Sequence, residues 1–285
     1  MQKIIISIVF LFTGSRMTGQ ELYVFSEPAS NMPAHSISVK LTGHFVTNDN
    51  IYSRFSQRIM PQVMFGISKK VMIHIGGTIG NMHTPDFRYE SVSFYAKYRF
   101  LSNDDIHKHF RMAVFADASA TKTPFHYDEI TLMGDKSGIE AGIIATQLWN
   151  KFALSGTLSH TQVLDKSRNN KVIYVPNRLY QSINYSVSGG YLLLPKEYTD
   201  YKQMNLNLYA ELLGEKSLDS KKYCLDLAPA IQFIFNSNFK ANIGYRFQLS
   251  GNMSRMSNNS WQVSFERTFL NALKNNRKIS NRLSH

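Results

Sequence analysis

From residue 35 to residue 270 the chain is written in a period of two, and the pattern recurs twelve times. In Ser36 to Val46, the apolar Ile37, Val39, Leu41 and Phe45 alternate with Ser38, Lys40, Thr42 and His44. Residues 88–101 repeat it, with Val92, Phe94, Ala96, Tyr98 and Phe100 against Ser93, Tyr95, Lys97 and Arg99. In 238–251, Phe239, Ala241, Ile243, Tyr245, Phe247 and Leu249 oppose Lys240, Asn242, Gly244, Arg246 and Gln248. Side chains along a strand point alternately to its two faces, so each segment predicts a strand with one greasy and one polar face. The twelve fall at 35–46, 57–68, 71–81, 90–101, 108–119, 137–148, 151–163, 179–194, 202–214, 222–235, 238–251 and 259–270.

A soluble sandwich also alternates, and three further features decide against it. The segments run to about 11 residues or more, long enough to cross a bilayer at a tilt. Their number is even, and tight turns at Lys69-Lys70, Trp149-Asn150 and Asn236-Ser237 alternate with long connections such as 120–136 and 164–178. Near the tight-turn end the apolar faces carry Phe65, Phe100, Phe110, Phe152, Tyr191, Phe235, Phe239 and Phe269, the layout of an interfacial aromatic girdle. Only a closed barrel leaves no unpaired sheet edge in lipid. The predicted fold is therefore all-β: a single closed antiparallel transmembrane β-barrel of about 12 strands.

The N-terminus supplies an address. Lys3, the apolar run Ile4 to Phe12 interrupted only by Ser7, and a small, polar exit through Gly19 are the parts of a secretory signal peptide, placed at 1–20. Its removal takes away Lys3 and Arg16 and no acid, lowering the formal charge from +12 to +10. Residues 21–34, with Pro28 and Pro33, form a segment that either hangs in the periplasm or folds into the lumen as a plug; they are too few for a globular plug domain. The barrel occupies 35–270. Residues 271–285 form a basic tail with Lys274, Arg277, Lys278 and Arg282 and no acid. Short turns face the periplasm in such barrels, which puts both termini there and the long loops outside the cell. One cysteine excludes a disulfide framework and a multi-cysteine metal site, and no apolar run reaches the length of a spanning helix.

The stretches Tyr23-Val-Phe-Ser-Glu-Pro-Ala-Ser-Asn-Met-Pro33, Ala96-Lys-Tyr-Arg-Phe-Leu-Ser-Asn-Asp-Asp-Ile-His107 and Ser137-Gly-Ile-Glu-Ala-Gly-Ile-Ile-Ala-Thr146 resemble a family of poorly characterised Gram-negative outer-membrane β-barrel proteins, and more loosely porin-like transporter barrels. The resemblance spans nearly the whole mature chain and implies the fold and an integral outer-membrane location. It brings no catalytic residues.

If the apolar face meets lipid, the other face lines the lumen. The pore-lining candidates are Lys40, His44, Lys97, Arg99, Arg111, Asp117, Glu140, Glu211, Asp226, Lys240, Arg246 and Glu266. With Arg58 they count seven bases against five acids, His apart. Two readings stay open: paired charges that brace a filled barrel, or an aqueous path for a small solute with a slight anion preference. Twelve strands lie between a side-chain-filled and an open bore. A non-conducting barrel that binds a partner through its loops or tail is the alternative, the identity of such a partner being undetermined. A lipid-acting hydrolase is the remote one. For it, Ser137 and His160 share an outward face if the hairpin about Trp149-Asn150 sets Ile139 opposite His160. No orienting residue accompanies them. Met82, His83, His126, Met253 and Met256 offer soft ligands for a metal without regular spacing, so no metal and no cofactor is expected. Bases are dispersed rather than striped with exposed aromatics, which excludes nucleic acid.

Overall fold

The computed structural model describes residues 23–105, 108–123, 127–164, 179–195 and 203–274. Twelve strands make up the fold: β1 (Ser36–Val46), β2 (Ser56–Gly66), β3 (Val71–Gly80), β4 (Arg88–Asp104), β5 (Lys108–Thr121), β6 (Gly138–Trp149), β7 (Phe152–Val163), β8 (Gln181–Leu194), β9 (Asn205–Ser217), β10 (Tyr223–Phe235), β11 (Phe239–Gly251) and β12 (Asn259–Phe269). Each pairs antiparallel with its sequence neighbours, and β1 pairs with β12, so the sheet closes into a barrel without an edge. Closure runs from Ile37 opposite Phe269 to Phe45 opposite Trp261. No helix among the described residues is long and apolar enough to cross a membrane, which says nothing of strands.

Burial is inside out relative to a water-soluble barrel. Val39, Leu41, Ile75, Phe94, Leu158, Val187, Ile243 and Phe265 are exposed on the outside, while Ser38, Arg58, His74, Lys97, Glu211, Asp226 and Gln232 are buried within. An apolar belt of this extent on a closed barrel is stable only against hydrocarbon. Phe100, Phe152, Tyr191, Phe235 and Phe269 stand exposed at the belt's tight-turn end, as the girdle requires.

The hairpin between β6 and β7 differs from the sequence expectation. Trp149 pairs with Phe152, so the turn is Asn150-Lys151, with Asn150 in the left-handed region at φ 50°. Asparagine tolerates that conformation better than the indole-bearing residue before it. Moving the turn by one residue moves every cross-strand partner by two: Ile139 meets Gln162, and His160 meets Ala141.

Candidate functional site

The lumen is filled from both ends by segments that are not part of the wall. At the end where β1 begins, residues 23–33 turn back into the bore. The backbone N–H groups of Val24 and Phe25 both donate to Glu211 Oε1 at 2.9 Å, and that of Ser26 donates to Oε2 at 2.8 Å. Glu211 is fully buried on β9, and three convergent amides satisfy its carboxylate in place of a cation. Opposite it, Lys97 Nζ on β4 donates to the carbonyls of Pro28 (2.7 Å) and Ser30 (2.9 Å) and lies 3.3 Å from the Glu27 carboxylate. Thr146 on β6 accepts from the Ala29 amide, Arg111 on β5 donates to Ser30 Oγ, Ser188 on β8 meets Ser26 Oγ, and Gln262 on β12 donates to the Val24 carbonyl.

Two glycines make room. A side chain at Gly244 on β11 would meet the Phe25 ring, and one at Gly66 on β2 would meet the Pro33 carbonyl. Residues 23–33 thus reach eight of the twelve strands, which only a segment crossing the bore can do. Tyr23 and Val24 add an apolar contact with Leu148, Ala153, Tyr209 and Ala230. Burial alone would raise the Glu27 pKa, but Lys97, with His74 and Lys40 behind it, outweighs burial and holds the carboxyl down at about 2.

At the opposite end the long β5–β6 connection folds inward, burying Tyr127, Ile130 and Leu132. Arg58 on β2 is its anchor: the guanidinium meets Glu90 at 2.5 Å, Asp135 at 2.6 Å and the Met133 carbonyl at 2.5 Å. His83 Nε2 lies 2.9 Å from Asp135, and its ring stacks on Tyr127. Burial would raise the Asp135 pKa; Arg58 and His83 reverse that and hold it far below the usual range. A second knot joins Asp226 on β10 and Glu129 of the loop to Arg246 on β11 and to Arg255, at 2.5–3.0 Å. Glu215 accepts from the Ile130 amide at 2.9 Å, and Lys136 Nζ is buried beneath the Tyr127 and Asp128 carbonyls. These paired charges satisfy the requirement that ionic groups withdrawn from water find partners.

All twelve pore-lining candidates lie on the inward-facing register of their strands. Lys97, Arg111 and Glu211 hold the 23–33 segment; Asp226 and Arg246 hold the loop knot; Lys240 pairs with Glu266 at 2.8 Å. Arg99 sits at the rim and donates to the Lys69 carbonyl. Among the described residues, Lys40, His44, Asp117 and Glu140 make no hydrogen bond or ion pair to either filling, and Lys40 stands directly across from Glu266. The sequence reading missed Glu90, Glu129, Asp135 and Arg255. The last three lie in connections where no periodicity reveals which way a side chain points. The one available signal was the mixture of acids with Tyr127, Ile130 and Leu132, an unusual load of apolar residues for a solvated loop.

The hydrolase pair does not assemble. His160 is exposed on the outer face and pairs with Ala141, whereas Ser137 lies four residues from Ala141 and spends its hydroxyl on the Thr121 backbone. Four residues along a strand is about 13 Å, beyond any proton transfer. The soft-ligand candidates disperse as well. Met82 and Met256 pack with Val46 and Tyr127, Met253 packs with Ile130, Val163, Leu179 and Cys224, and His83 serves Asp135; His126 lies outside the described residues. Thioethers in these places act as apolar filler. Glu129, Glu215 and Cys224 bring ligand atoms within 4.8 Å of one another, but Arg246 and Arg255 already neutralise Glu129.

A closed antiparallel barrel with an apolar outer belt and a polar interior is the architecture with which known proteins can be compared. Among solved structures, an outer membrane channel from Pseudomonas putida F1 superposes with a TM-score of 0.57 at 11% identity, over 87% of this chain and all of that one. The KdgM porin follows at 0.46 and 8%, over 81% of this chain and 99% of that one. No protein-family model matches the sequence, and no curated protein does. At these identities the likeness is one of fold.

Proposed function

We propose that the protein is an integral outer-membrane channel for a small solute, closed in the conformation described, with both termini on the periplasmic side. Residues 23–33 and 127–137 are its two closures. The observation that carries this reading is the way the bore is filled. A barrel built only as an anchor fills its interior with side chains from the wall. Here separate stretches of chain close it, and the grip is mainly hydrogen bonds and ion pairs, which water can replace when the segment leaves. The signal peptide at 1–20 belongs to the same proposal, as the export step that an outer-membrane location demands.

The second reading, a braced barrel that does not conduct, draws on the buried Arg58 and Arg255 knots, which stitch the loop end across several strands. Single-channel recording of the refolded chain in a planar bilayer separates the two. Brief openings, with reversal potentials in a salt gradient, support the channel. Silence from a correctly inserted barrel, even when residues 23–33 are released by mutation, overturns it.

A further inference from the structure

Most luminal carboxylates have a partner: Asp226 and Glu266 meet arginine or lysine, and Glu211 meets three amides. One patch of the wall breaks that rule. Asp117 on β5 stands directly across from Glu140 on β6, and on its other side across from Tyr95 on β4. Ser119, two residues along β5, pairs with Gly138, which offers no side chain to fill the place opposite. Asp117 Oδ1, Ser119 Oγ and the Tyr95 hydroxyl are all buried without a hydrogen-bond partner, and Ser119 is only 8% exposed. The Tyr95 ring is fixed between His74 and Phe115, with centroids at 4.8 and 5.5 Å, so its hydroxyl direction is set by stacking.

Glu140 is held in place through Oε1, by Ser159 Oγ at 2.5 Å and Asn184 Nδ2 at 3.5 Å. Among the described residues no cation pairs with Asp117 or Glu140. Among the described residues, the charges that bear on the Tyr95 hydroxyl are Glu27, Asp117 and Glu140, all negative, and the one that bears on Asp117 is Glu140. Directly opposed side chains on neighbouring strands have Cβ atoms about 5 Å apart, a separation at which two carboxylates can share one ion.

We propose that Asp117, Glu140, Ser119 and Tyr95 form a binding site for a hard divalent cation, calcium foremost, on the wall of the lumen. Every donor is oxygen, two are carboxylates, and none is imidazole or sulfur, the set that hard cations prefer. Calcium's tolerance for irregular geometry and for water in its shell fits ligands fixed on three strands. The site also lies beneath the loop-end closure, because Thr121, the next inward residue after Ser119, donates to the Gly134 carbonyl at 3.0 Å. An ion there would staple β5 to β6 where the loop departs and returns, and would replace the expected anion preference with a local cation preference.

The inference rests on the inward face being a lumen but not on conduction, so it is tested apart from it. Calcium is titrated calorimetrically into the refolded chain in lipopolysaccharide-free detergent. The wild type is expected to show one saturable site, and Asp117→Asn and Glu140→Gln each to weaken it at least about tenfold. Barrel closure in each variant is checked by heat-dependent gel mobility. Ser119→Ala and Tyr95→Phe, which leave the charges in place, are expected to weaken it less and serve if a carboxylate variant fails to close. No saturable binding by the wild type at millimolar calcium, or undiminished binding by the double carboxylate variant, overturns the proposal. A silent barrel that binds calcium refutes the channel and leaves this site standing.

Discussion

Replacing Glu211 by alanine is the sharpest test of how residues 23–33 are held. The three amide donors at 2.8–2.9 Å bond to a charged acceptor, and each such bond contributes about 1.5–3 kcal/mol when fully sequestered. The space left by the side chain admits water, which recovers part of that loss, so about 1 kcal/mol per donor is a conservative figure. Three donors then give about 3 kcal/mol, and at about 1.4 kcal/mol per tenfold the released population rises roughly a hundredfold. Glu211→Gln keeps one acceptor oxygen but turns an amide N–H₂ toward the Ser26 N–H, so it is expected to fall between the wild type and alanine. Two assays read the change. Open probability in a planar bilayer should rise by about two decades. A Ser26→Cys reporter should react correspondingly faster with a membrane-impermeant thiol reagent, since Cys224, the one native cysteine, is buried. Unchanged conductance together with unchanged labelling in the alanine variant would refute the reasoning, because the clamp would then contribute nothing to closure.

Further outcomes follow from the same contacts. Arg58→Ala should lower the temperature at which the barrel loses its folded gel mobility by an amount equivalent to about 3–5 kcal/mol, because Glu90 is left buried without its partner and Asp135 keeps only His83. Arg58→Lys should rescue little of this, since a single ammonium cannot reproduce the fork that meets both acids and the Met133 carbonyl. Glu27, with its pKa lowered to about 2, contributes stability that is present above its ordinary value of 4.5 and is lost as the pH falls from there through 2. Channel opening should therefore increase between pH 4.5 and 2, and Glu27→Gln should remove that increase; an acid response unchanged in the variant would assign it elsewhere. Gly244→Leu should push Phe25 out of its place against β11 and raise labelling of the Ser26→Cys reporter without preventing barrel closure.

The wall was legible because a strand encodes its own faces. Once Lys40, Lys97, Glu211, Arg246 and Glu266 were placed on the polar register, the lipid on the other side followed from Val39, Phe94 and Ile243. The ends of the bore were not legible. Asp135 and Glu129 belong to a loop, and a loop side chain takes its direction from contacts made across the barrel, here Arg58 and Arg255, which sequence spacing does not encode. The Ser137–His160 pairing failed for a smaller reason of the same kind. A two-residue turn can sit at either of two adjacent dipeptides, and the left-handed Asn150 chose the later one, moving His160 two places along its partner. The segment expected at 21–34 was readable only as far as its length, since the destination of residues 23–33 depends on acceptors and donors offered by six separate strands.

Those six attachments have a mechanical meaning. In a hollow cylinder of hydrogen-bonded strands, sideways pressure from the lipid is resisted by the wall alone. Residues 23–33 act as a hub, with Glu211, Lys97, Thr146, Arg111 and Gln262 as spokes of fixed length drawn in from different compass points. While the hub is seated, any flattening must stretch some spokes and compress others, and the cross-section stays round. Seating and stiffness are then one property: loosening the Glu211 clamp would free the segment and soften the wall together.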